Sequence, residues 1–507
     1  MTLDSGNTIS DESFQMTIND DESTTDSISK SLTLEEKMKV KLDKSNFNEW
    51  YNDVIELANL SDKRYPIKGM NVWTGYGWKI MLNIDKLIRH EMELSGHDEV
   101  CFPLLISEEQ FAKEAEHIKG FDKEVYWVTT AGGEPLDVKL LLRPTSETAM
   151  YPIFSLWIRS HADLPLKTFQ LVNTFRYDTK QTRAFIRVRE IHFFEAHTCH
   201  DSFEDAEKQI ADDLQIMDRL SKKLCLPYLM LKRPDWDKFP GAFYSLAADC
   251  VMPTSKTLQI GTIHQYRDNF SKPYEIIFEA VDGEHKYVHQ TTYGMSERLI
   301  GAIVGIHGDN KGVILPPAIA PYQVVLVPIL VKTQREQVKN ACLELRSELM
   351  QAGIRVHYDD RDIRPGNKFY DWELRGVPLR LELGPRDLEK GEITVVRRDI
   401  GERAVIPRGL ALENINSILA KIEEEMYERA RTTLEESIIK IDALDDAKDR
   451  SGIFRMGWCG EPECDDQIVQ YLDLNMLGTP IHDEGYSGNC AQCGKPTETV
   501  VYYAKSY

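Results

Sequence analysis

The chemically richest stretch of the chain runs from Asn173 to His197. Four arginines fall within fourteen residues of it: Arg176, Arg183, Arg187 and Arg189. Two β-rich runs around a polar middle predict an antiparallel hairpin. Side chains alternate along a strand, so one face of the outgoing strand is expected to carry Arg187, Arg189, Ile191, Phe193, Glu195 and His197. Burying such a face without a ligand is costly, and the alternative is a solvated edge strand with ion pairs.

Two further segments carry polar side chains with a chemical use. Thr145 and Glu147 are expected to point the same way from a strand end. The run from Gln259 to His264 predicts an alternating strand with polar side chains at Thr262 and His264. A single buried histidine is more often a satisfied core residue than a ligand, so this strand alone does not define a site.

A glycine-led helix is predicted where Tyr293 is followed by Gly-Met-Ser-Glu-Arg. Its first turn is expected to carry Ser296 and Arg298. An arginine in this position can hold a phosphate with two parallel hydrogen bonds. A surface ion pair is the alternative.

Four of the nine cysteines are packed into thirty-five residues near the end of the chain: Cys459, Cys464, Cys490 and Cys493. Two short-spaced pairs joined by a longer loop fit tetrahedral thiolate zinc. Four unrelated thiols are the alternative. Because the first thirty residues contain no secretory signal, a metal site is favoured over disulfides.

Length and composition set the broad class. The chain has 507 residues, 42% of them apolar and 28% charged, which predicts several globular domains and excludes a wholly disordered protein. No apolar stretch is long enough to cross a bilayer, so we expect a soluble, cytoplasmic protein with no membrane partner. The net charge of −21 argues against a general phosphate-binding surface, and nucleic-acid contacts would need local basic patches.

The elements that position these residues follow from periodicity. Helices are expected at about 47–60 and 79–95, the second closed by Gly96, with a strand at 99–105 after it. A capped helix begins at Ser202. Beyond a glycine- and proline-rich linker at 307–317, strands and helices alternate as in an α/β domain with a largely parallel sheet, followed by a charged helix at about 410–431. The first 29 residues hold seven acidic and no basic side chains, so this tail is expected to be disordered.

Together, these motifs resemble the signature motifs of class II aminoacyl-tRNA synthetases. The F-R-x-D hairpin with its R-x-R-E continuation resembles the second motif, and Gly294 to Arg298 resembles the third. The segments R-P-T-S-E-T from Arg143, Q-x-x-T-x-H from Gln259, H-G-D-N-x-G-x-x-L-P-P from His307 and P-G-N-K-F-Y-D-W-E from Pro365 are similar to those of prolyl-tRNA synthetases of the archaeal and eukaryotic type. The resemblance runs from about Leu34 to Tyr507.

The resemblance implies the domain order. After the acidic tail (1–33), it implies an α+β class II catalytic domain (34–317) in which helices flank an antiparallel sheet. An α/β anticodon-binding domain (318–430) and a small α+β zinc-binding domain (431–507) follow. A homodimer is also implied.

The implied activity is proline–tRNA ligation. L-proline and ATP would form prolyl-adenylate and pyrophosphate, and the prolyl group would pass to the 3′ end of tRNA(Pro). Arg176 and Arg298 are the implied catalytic residues, and Mg²⁺ is expected to bridge the phosphates. The positions that match ATP contacts are Arg176, Arg187, Gln259, Thr262 and Arg298.

Proline recognition requires acceptors for a cationic secondary amine and aromatic walls for an apolar ring. The positions that match the family's proline contacts are Thr145, Glu147, Arg176, Phe193, Glu195, His197, His264, Tyr293 and Ser296. Phe193 and Tyr293 stand where relatives carry tryptophan, which keeps the aromatic character.

Contacts to the anticodon are implied for Phe369, Glu373, Arg380 and Arg386. Arginine can donate to guanine bidentately, and an unpaired base can stack on a phenylalanine. Ordinary surface charges are the alternative. The four clustered cysteines match a structural zinc site of the family.

Two other functions compete with this one. A non-catalytic, RNA-binding relative would have no need for three phosphate-binding arginines. A threonyl-tRNA synthetase would need a Cys/His/His zinc set in the catalytic domain, which the sequence does not supply. The interval from Glu190 to Arg298 leaves no room for an inserted editing domain, so misactivated alanine is expected to go uncorrected by this chain.

Overall fold

The computed structural model describes residues 31–114, 123–178 and 181–507. The acidic residues 1–30, for which disorder is expected, lie outside this range. The first elements are α1 Leu34–Lys37, α2 Phe47–Leu57, β1 Ser61–Asp62, β2 Val72–Trp73, α3 Gly75–Leu94, β3 Asp98–Glu99, β4 Leu105–Ser107 and α4 Glu108–Glu114.

The elements that build the site follow between residues 123 and 307. They are β5 Tyr126–Ala131, β6 Glu134–Leu142, α5 Glu147–Trp157, β7 Leu166–Phe175, β8 Glu190–His200, α6 Phe203–Leu224, β9 Leu229–Lys232, β10 Tyr244–Val251, β11 Thr257–Arg267, β12 Ile277–Glu279, β13 His285–Tyr287, β14 His289–Ser296 and α7 Arg298–His307.

The remaining chain alternates between strands and helices. It contains β15 Val324–Pro328, α8 Arg335–Gln351, β16 Val356–Tyr358, α9 Pro365–Leu374, β17 Leu379–Leu383, α10 Pro385–Lys390, β18 Glu392–Arg397, β19 Arg403–Pro407, α11 Ala411–Glu436, β20 Ile438–Lys440, β21 Ile453–Gly457, α12 Pro462–Leu472, β22 Asn475–Pro480, β23 Gly488–Asn489, β24 Pro496–Thr497 and β25 Val500–Ala504.

Local signals explain where the helices around the core begin and end. Helix α6 starts as predicted, with the Ser202 hydroxyl accepting a hydrogen bond from the Asp205 amide. Helix α3 starts four residues before the expected Lys79, because the Thr74 hydroxyl accepts from the Gly77 amide. A Cβ on Gly77 would lie 1.9 Å from the Leu60 carbonyl oxygen, so this glycine serves close packing and not a loop.

The strand expected at 99–105 is wrong. Only Asp98–Glu99 pairs with β7, and the chain then leaves this sheet and enters a separate three-stranded sheet, β4-β6-β5, at β4. Between them side chains satisfy the backbone: Gln170 Oε1 accepts from the Phe102 amide at 3.0 Å, and the Arg143 guanidinium donates to the Phe102 carbonyl at 2.8 Å. Pro103 has no amide to offer a strand ladder.

An eleven-stranded sheet runs through the molecule in the order β20-β21-β25-β22-β9-β10-β11-β14-β8-β7-β3. Its pairings are antiparallel except at the two edges, where β3 pairs with β7 and β20 with β21 in parallel. Helices α6 and α7 contact β11 and β14, and together with α2 and α3 they cover a large apolar core. An antiparallel sheet flanked by helices is the predicted catalytic architecture.

A second sheet, β16-β15-β17-β18-β19, has its own core against α8 and the start of α11. Its first two pairings are parallel and its last two antiparallel, so the expectation of a largely parallel sheet holds for half of it. The link from β17 to β18, through the six-residue helix α10, is too short for a parallel crossover. Strand β19 was not predicted, because only Ile406 in it is buried.

Four of the C-terminal strands, β20, β21, β22 and β25, join the eleven-stranded sheet, and β23 and β24 pair only with each other. Strand β22 pairs with β9, placing Thr479 opposite Lys232. Helix α11 leads to this region and extends to Glu436, five residues beyond the predicted end. Within the described ranges, no helix combines the length and apolarity that a membrane span requires.

Candidate active site

A cavity of about 600 Å³ opens on one face of the eleven-stranded sheet, over β8, β11 and β14. Eleven residues that the sequence singled out line it: Thr145, Glu147, Arg176, Arg187, Phe193, Glu195, Gln259, Thr262, His264, Ser296 and Arg298. They come from segments as far apart in the sequence as Thr145 and Arg298, and the antiparallel sheet brings them to one place.

The arginine hairpin forms, but its geometry differs from the prediction. Strands β7 and β8 pair antiparallel over ten residue pairs, and β8 begins only at Glu190. Arg187 and Arg189 therefore lie in the connecting loop and not on the strand face. Arg187 Nη1 donates to Asp178 Oδ2 at 2.8 Å, whereas the Arg189 guanidinium stacks over Tyr177, away from the cavity.

Two helix starts also differ from the prediction. Glu147 is the first residue of α5, so Thr145 precedes a helix and does not end a strand. Gly294 and Ser296 belong to β14, and α7 begins at Arg298. A Cβ on Gly294 would lie 3.0 Å from the Phe193 ring, so this glycine makes room for the aromatic side chain.

Besides Arg233, three arginines line the cavity and concentrate positive charge there: Arg176, Arg187 and Arg298. Burial lowers the pKa of Arg298, and repulsion from Arg176 and Arg187 lowers it further, although an arginine stays charged at any physiological pH. Arg298 donates to neutral acceptors, the carbonyls of Ile186 at 3.0 Å and Gln259 at 3.4 Å. Three mutually repelling cations that line one cavity indicate a site for a polyanion.

The carboxyl beside Arg298 does little to neutralise this charge. Burial raises the pKa of Glu297 to about 8, so the group is mostly protonated at neutral pH. Its side chain is 3% exposed, and its Oε2 has no hydrogen-bond partner among the described residues. The carboxyl therefore leaves most of the charge of Arg298 available to a ligand.

Two buried carboxyl groups, those of Glu195 and Glu147, also line the cavity and interact electrostatically with Arg176. Glu195 Oε1 accepts from Gln170 Nε2 at 3.0 Å and from the Ser146 hydroxyl. Glu147 accepts from the Tyr266 hydroxyl at 3.0 Å and from the Thr145 hydroxyl. Carboxylates fixed in this way suit an ammonium group.

His197 lies behind Glu195 and is not part of the cavity wall. It is fully buried, with Nε2 3.3 Å from Glu195 Oε2 and Nδ1 3.2 Å from the Tyr151 hydroxyl. Burial opposes ionisation of Glu195, but hydrogen bonds from His197, Ser146 and Gln170 outweigh it and lower the pKa of Glu195. His197 therefore keeps Glu195 ionised and oriented.

Tyr293 does not reach the cavity, contrary to the expected aromatic wall. Its neighbours Thr292 and Gly294 line the cavity, so alternation along β14 turns Tyr293 to the opposite face. There its hydroxyl lies 3.2 Å from Met217 Sδ and its ring packs edge-on against Phe194. Tyr293 is a core residue.

The sequence reasoning missed Phe239, which supplies an aromatic wall. Its ring lies 4.9 Å from that of His264, centroid to centroid, and both residues line the cavity. Burial lowers the pKa of His264 to about 3, and Ser245 lies 2.8 Å from its Nδ1, so the imidazole is neutral. Phe239 lies in an irregular loop, so no helix or strand periodicity in the sequence could predict that it faces the cavity.

Arg233 and Asp249 were also missed. Their side chains, both under 10% exposed, form a salt bridge of 2.9 Å, and Arg233 Nη2 reaches Gln259 Oε1 at 3.4 Å. The pair holds the glutamine on which nucleotide contact was expected. Sixteen residues separate its partners, and no local pattern links them.

The four clustered cysteines come together as predicted. Their sulfur atoms all lie within 4.8 Å of one another, with 3.5 Å between Cys459 and Cys464 and 3.7 Å between Cys459 and Cys493. Four thiolates at this spacing, with no hard oxygen ligand in the set, fit Zn²⁺.

The residues expected to read an anticodon lie around α9 and β17. The Arg380 guanidinium stacks on the Phe369 ring at 4.1 Å, and Arg380 and Glu373 line a small hollow. Glu373 Oε1 accepts from Lys311 Nζ at 3.0 Å. Arg386 is exposed on α10, outside that hollow.

Three segments of the chain match family models. Residues 126–307 match the tRNA synthetase class II core domain (G, H, P, S and T), residues 323–418 the anticodon binding domain, and residues 441–507 the C-terminal domain of prolyl-tRNA synthetase. The fold and the cavity thus define a class II aminoacyl-tRNA synthetase.

Comparison with individual proteins narrows the class. The proline–tRNA ligases of Thermococcus kodakarensis and Pyrococcus abyssi are 56% and 55% identical over 471 residues, covering 91% of this chain and 98% of each relative. The chain belongs to the prolyl-tRNA synthetase family. The resemblance inferred from the motifs is confirmed.

Solved structures agree over the same extent. Giardia lamblia prolyl-tRNA synthetase in complex with prolyl-adenylate superposes with a TM-score of 0.89 at 36% identity. The Cryptosporidium parvum enzyme complexed with halofuginone and AMPPNP gives a TM-score of 0.87 at 32% identity. Each match covers 92% of this chain and 99% of the other.

Proposed function

We propose that this chain is a proline–tRNA ligase. It activates L-proline with ATP to prolyl-adenylate and transfers the prolyl group to the 3′ end of tRNA(Pro). The observation that carries the proposal is that one cavity is lined both by Arg176, Arg187 and Arg298 and by the buried carboxyl groups of Glu147 and Glu195. ATP and the proline carboxylate are anionic and the proline ammonium is cationic, so the two sets of side chains complement the charges of the reactants.

In the first step a proline carboxylate oxygen attacks the α-phosphorus of ATP, and pyrophosphate leaves. Charge builds on the phosphate oxygens, so the reaction needs alignment and fixed positive charge more than a base. Arg176 spans the proline carboxylate and the α-phosphate, while Arg187 and Arg298 hold the rest of the triphosphate. Gln259 and Thr262 complete the nucleotide site.

The part of the cavity around Glu195 and Glu147 binds the amino acid. Glu195 and Glu147 accept hydrogen bonds from the proline ammonium, and Thr145, His264 and Ser296 contact it from neighbouring walls. Phe193 and Phe239 flank the apolar ring. In the second step the 3′-terminal ribose hydroxyl attacks the prolyl carbonyl, and AMP leaves.

Two metals belong to the proposal. Mg²⁺ would neutralise the phosphates, and Glu124 and Asp178 on the cavity wall offer the oxygen ligands it prefers. Zn²⁺ would be held by the four cysteines as a structural ion. The proposal also includes a cytoplasmic homodimer, with Phe369, Glu373, Arg380 and Arg386 reading the anticodon of tRNA(Pro).

Editing within the chain is not part of the proposed function. All residues between Glu190 and Arg298 are described, and β8, α6 and the strands β9 to β14 fill the interval. Losing a methylene contact gives only about 1–3 kcal/mol of discrimination, so alanine should be activated at a low level and released uncorrected.

The test is exchange of labelled pyrophosphate into ATP. Exchange should depend on L-proline and should be absent with threonine or histidine. Aminoacylation of tRNA(Pro) should follow in the same preparation. A protein that binds tRNA but supports no proline-dependent exchange would instead be the non-catalytic relative, which no observation favours.

A further inference from the structure

A second cavity, of about 330 Å³, lies on the other side of Glu297. Its walls include Trp73, Trp78, Phe185, His192, Glu190 and Glu297, and we call it the tryptophan cavity. The proposed reaction uses neither the cavity nor its aromatic residues.

The aromatic side chains enclose the space from several directions. Trp73 lies 4.9 Å from Phe185 and 5.5 Å from Trp78, centroid to centroid, and Trp78 meets His192 edge-on at 5.2 Å. Aromatic rings that surround a space can bind an organic cation over their faces.

The ionisable groups that line the cage are His192 and two carboxyls, of which Glu297 is mostly protonated at neutral pH. Among the described residues that line it, two carry carboxyl groups, Glu190 and Glu297, and none is lysine or arginine. His192 is occupied by the buried carboxylate of Asp85, 3.1 Å from its Nε2. Glu190 Oε1 accepts from Asn173 Nδ2 at 2.8 Å, which leaves its second oxygen available.

Glu297 provides independent evidence for a ligand. Its side chain is 97% buried, and its Oε2 has no partner within the described part of the chain. A buried acceptor without a hydrogen bond costs about 1–3 kcal/mol. A donor in the tryptophan cavity would satisfy it.

We propose that the tryptophan cavity binds a small organic ammonium ion, an amine attached to an apolar body. The ammonium group donates to Glu297 and Glu190 while the apolar body packs against Trp73, Trp78 and Phe185. An anion would meet two carboxyl groups, and a bare metal ion would meet mostly aromatic carbon.

The experiment compares two ligands of the same shape. Cyclohexylmethylamine, charged at neutral pH, and cyclohexylmethanol are titrated into the full chain by calorimetry, with tryptophan fluorescence as a second signal. The amine should bind once per chain and at least about tenfold more tightly than the alcohol. Equal binding of the two, or no saturable binding of the amine, would overturn the proposal.

Three variants locate the bound amine. Trp73→Leu removes a wall of the cage, and Asn71→Arg adds a competing cation at a half-exposed lining position, where folding is least at risk. Both should weaken amine binding at least tenfold. Trp127→Phe, which changes an exposed tryptophan on β5, is the matched control and should bind as the parent does. Unchanged affinity in both cavity variants would place the amine elsewhere and refute the assignment.

Discussion

The arginine-lined cavity and the cysteine cluster are both polar sites, but they are built in opposite ways. The cavity collects side chains from segments as far apart in the sequence as Thr145 and Arg298, and Arg176 and Arg187 repel Arg298 there. The cluster takes all its side chains from thirty-five consecutive residues, and their sulfur atoms fit one ion. We therefore expect a bound substrate to relieve the electrostatic repulsion in the first site, and a bound ion to stabilise the second. Changes in the cavity should therefore affect the reaction, and changes in the cluster should affect folding.

The largest effect is expected for Arg298→Ala. Loss of a positioned cation should lower proline-dependent pyrophosphate exchange by about 10³-fold. Stability should not fall in parallel, because the substitution removes one of three mutually repelling charges.

Arg189→Ala is the matched control for that variant. Its guanidinium lies in the β7–β8 loop, which also carries Arg187, but it stacks on Tyr177 outside the cavity, so exchange should change little. Equal losses of activity in the two variants would break the distinction between cavity arginines and their neighbours.

The double variant Cys459→Ser, Cys464→Ser tests the opposite site. Bound zinc, measured by elemental analysis, should be lost, and the midpoint of thermal unfolding should fall. Exchange should survive at a reduced level, because the cysteines do not line the cavity. Cys101→Ser, at an exposed cysteine outside the cluster, is the control. One zinc per chain in the double variant would contradict the ligand assignment.

Arg386→Ala and Glu373→Ala change residues on α10 and α9, which belong neither to the cavity nor to the cysteine cluster. Each should weaken aminoacylation of tRNA(Pro) by about 1–3 kcal/mol and leave exchange intact. Arg335→Ala, at an exposed arginine that begins α8, should change neither assay. A matching fall in exchange would connect these residues to the first reaction step.

The smallest effect concerns stability on the helix-covered side of the catalytic sheet. Burial raises the pKa of Asp213 on α6 to about 7, and Gln209 Nε2 donates to it at 2.9 Å. The folded state thus binds the proton more tightly than the unfolded state, where the pKa is about 4. The contribution of Asp213 to stability is therefore fully present below pH 4 and is lost as pH rises through 7.

Asp213→Asn removes this dependence. At pH 8 its free energy of unfolding should exceed that of the parent by roughly 1–3 kcal/mol, and the difference should shrink toward pH 5. Urea denaturation at the two pH values measures it. Asp212→Asn, at the exposed neighbouring carboxylate, should show no such pH dependence. A constant difference would mean that Asp213 is already ionised in the folded chain.

The two sites also differ in how far sequence could predict them. The cysteine cluster and the cap at Ser202 depend on residues close together in the chain, so spacing was sufficient. The arginine hairpin could be recognised from the sequence. The alternation of side chains could not show where strand pairing stops, so it did not predict that Arg187 and Arg189 lie in the loop. Because a helix was expected to start at Gly294, the strand alternation that turns Tyr293 away from the cavity was not predicted. Arg233 and Phe239 join the cavity through long-range contacts, which no local pattern reports.

The pairing of β22 with β9 has a consequence for shortened versions of the protein. Strand β9 has β10 on one side and β22 on the other, and a Cβ on Gly478 would lie 2.2 Å from the Lys232 carbonyl oxygen. A chain cut after α11 would expose the backbone amides and carbonyls of β9 along an open edge. Open edges recruit strands from other molecules and lead to aggregation. The C-terminal segment therefore acts as a seal on the catalytic sheet, and its removal should reduce solubility before it affects chemistry.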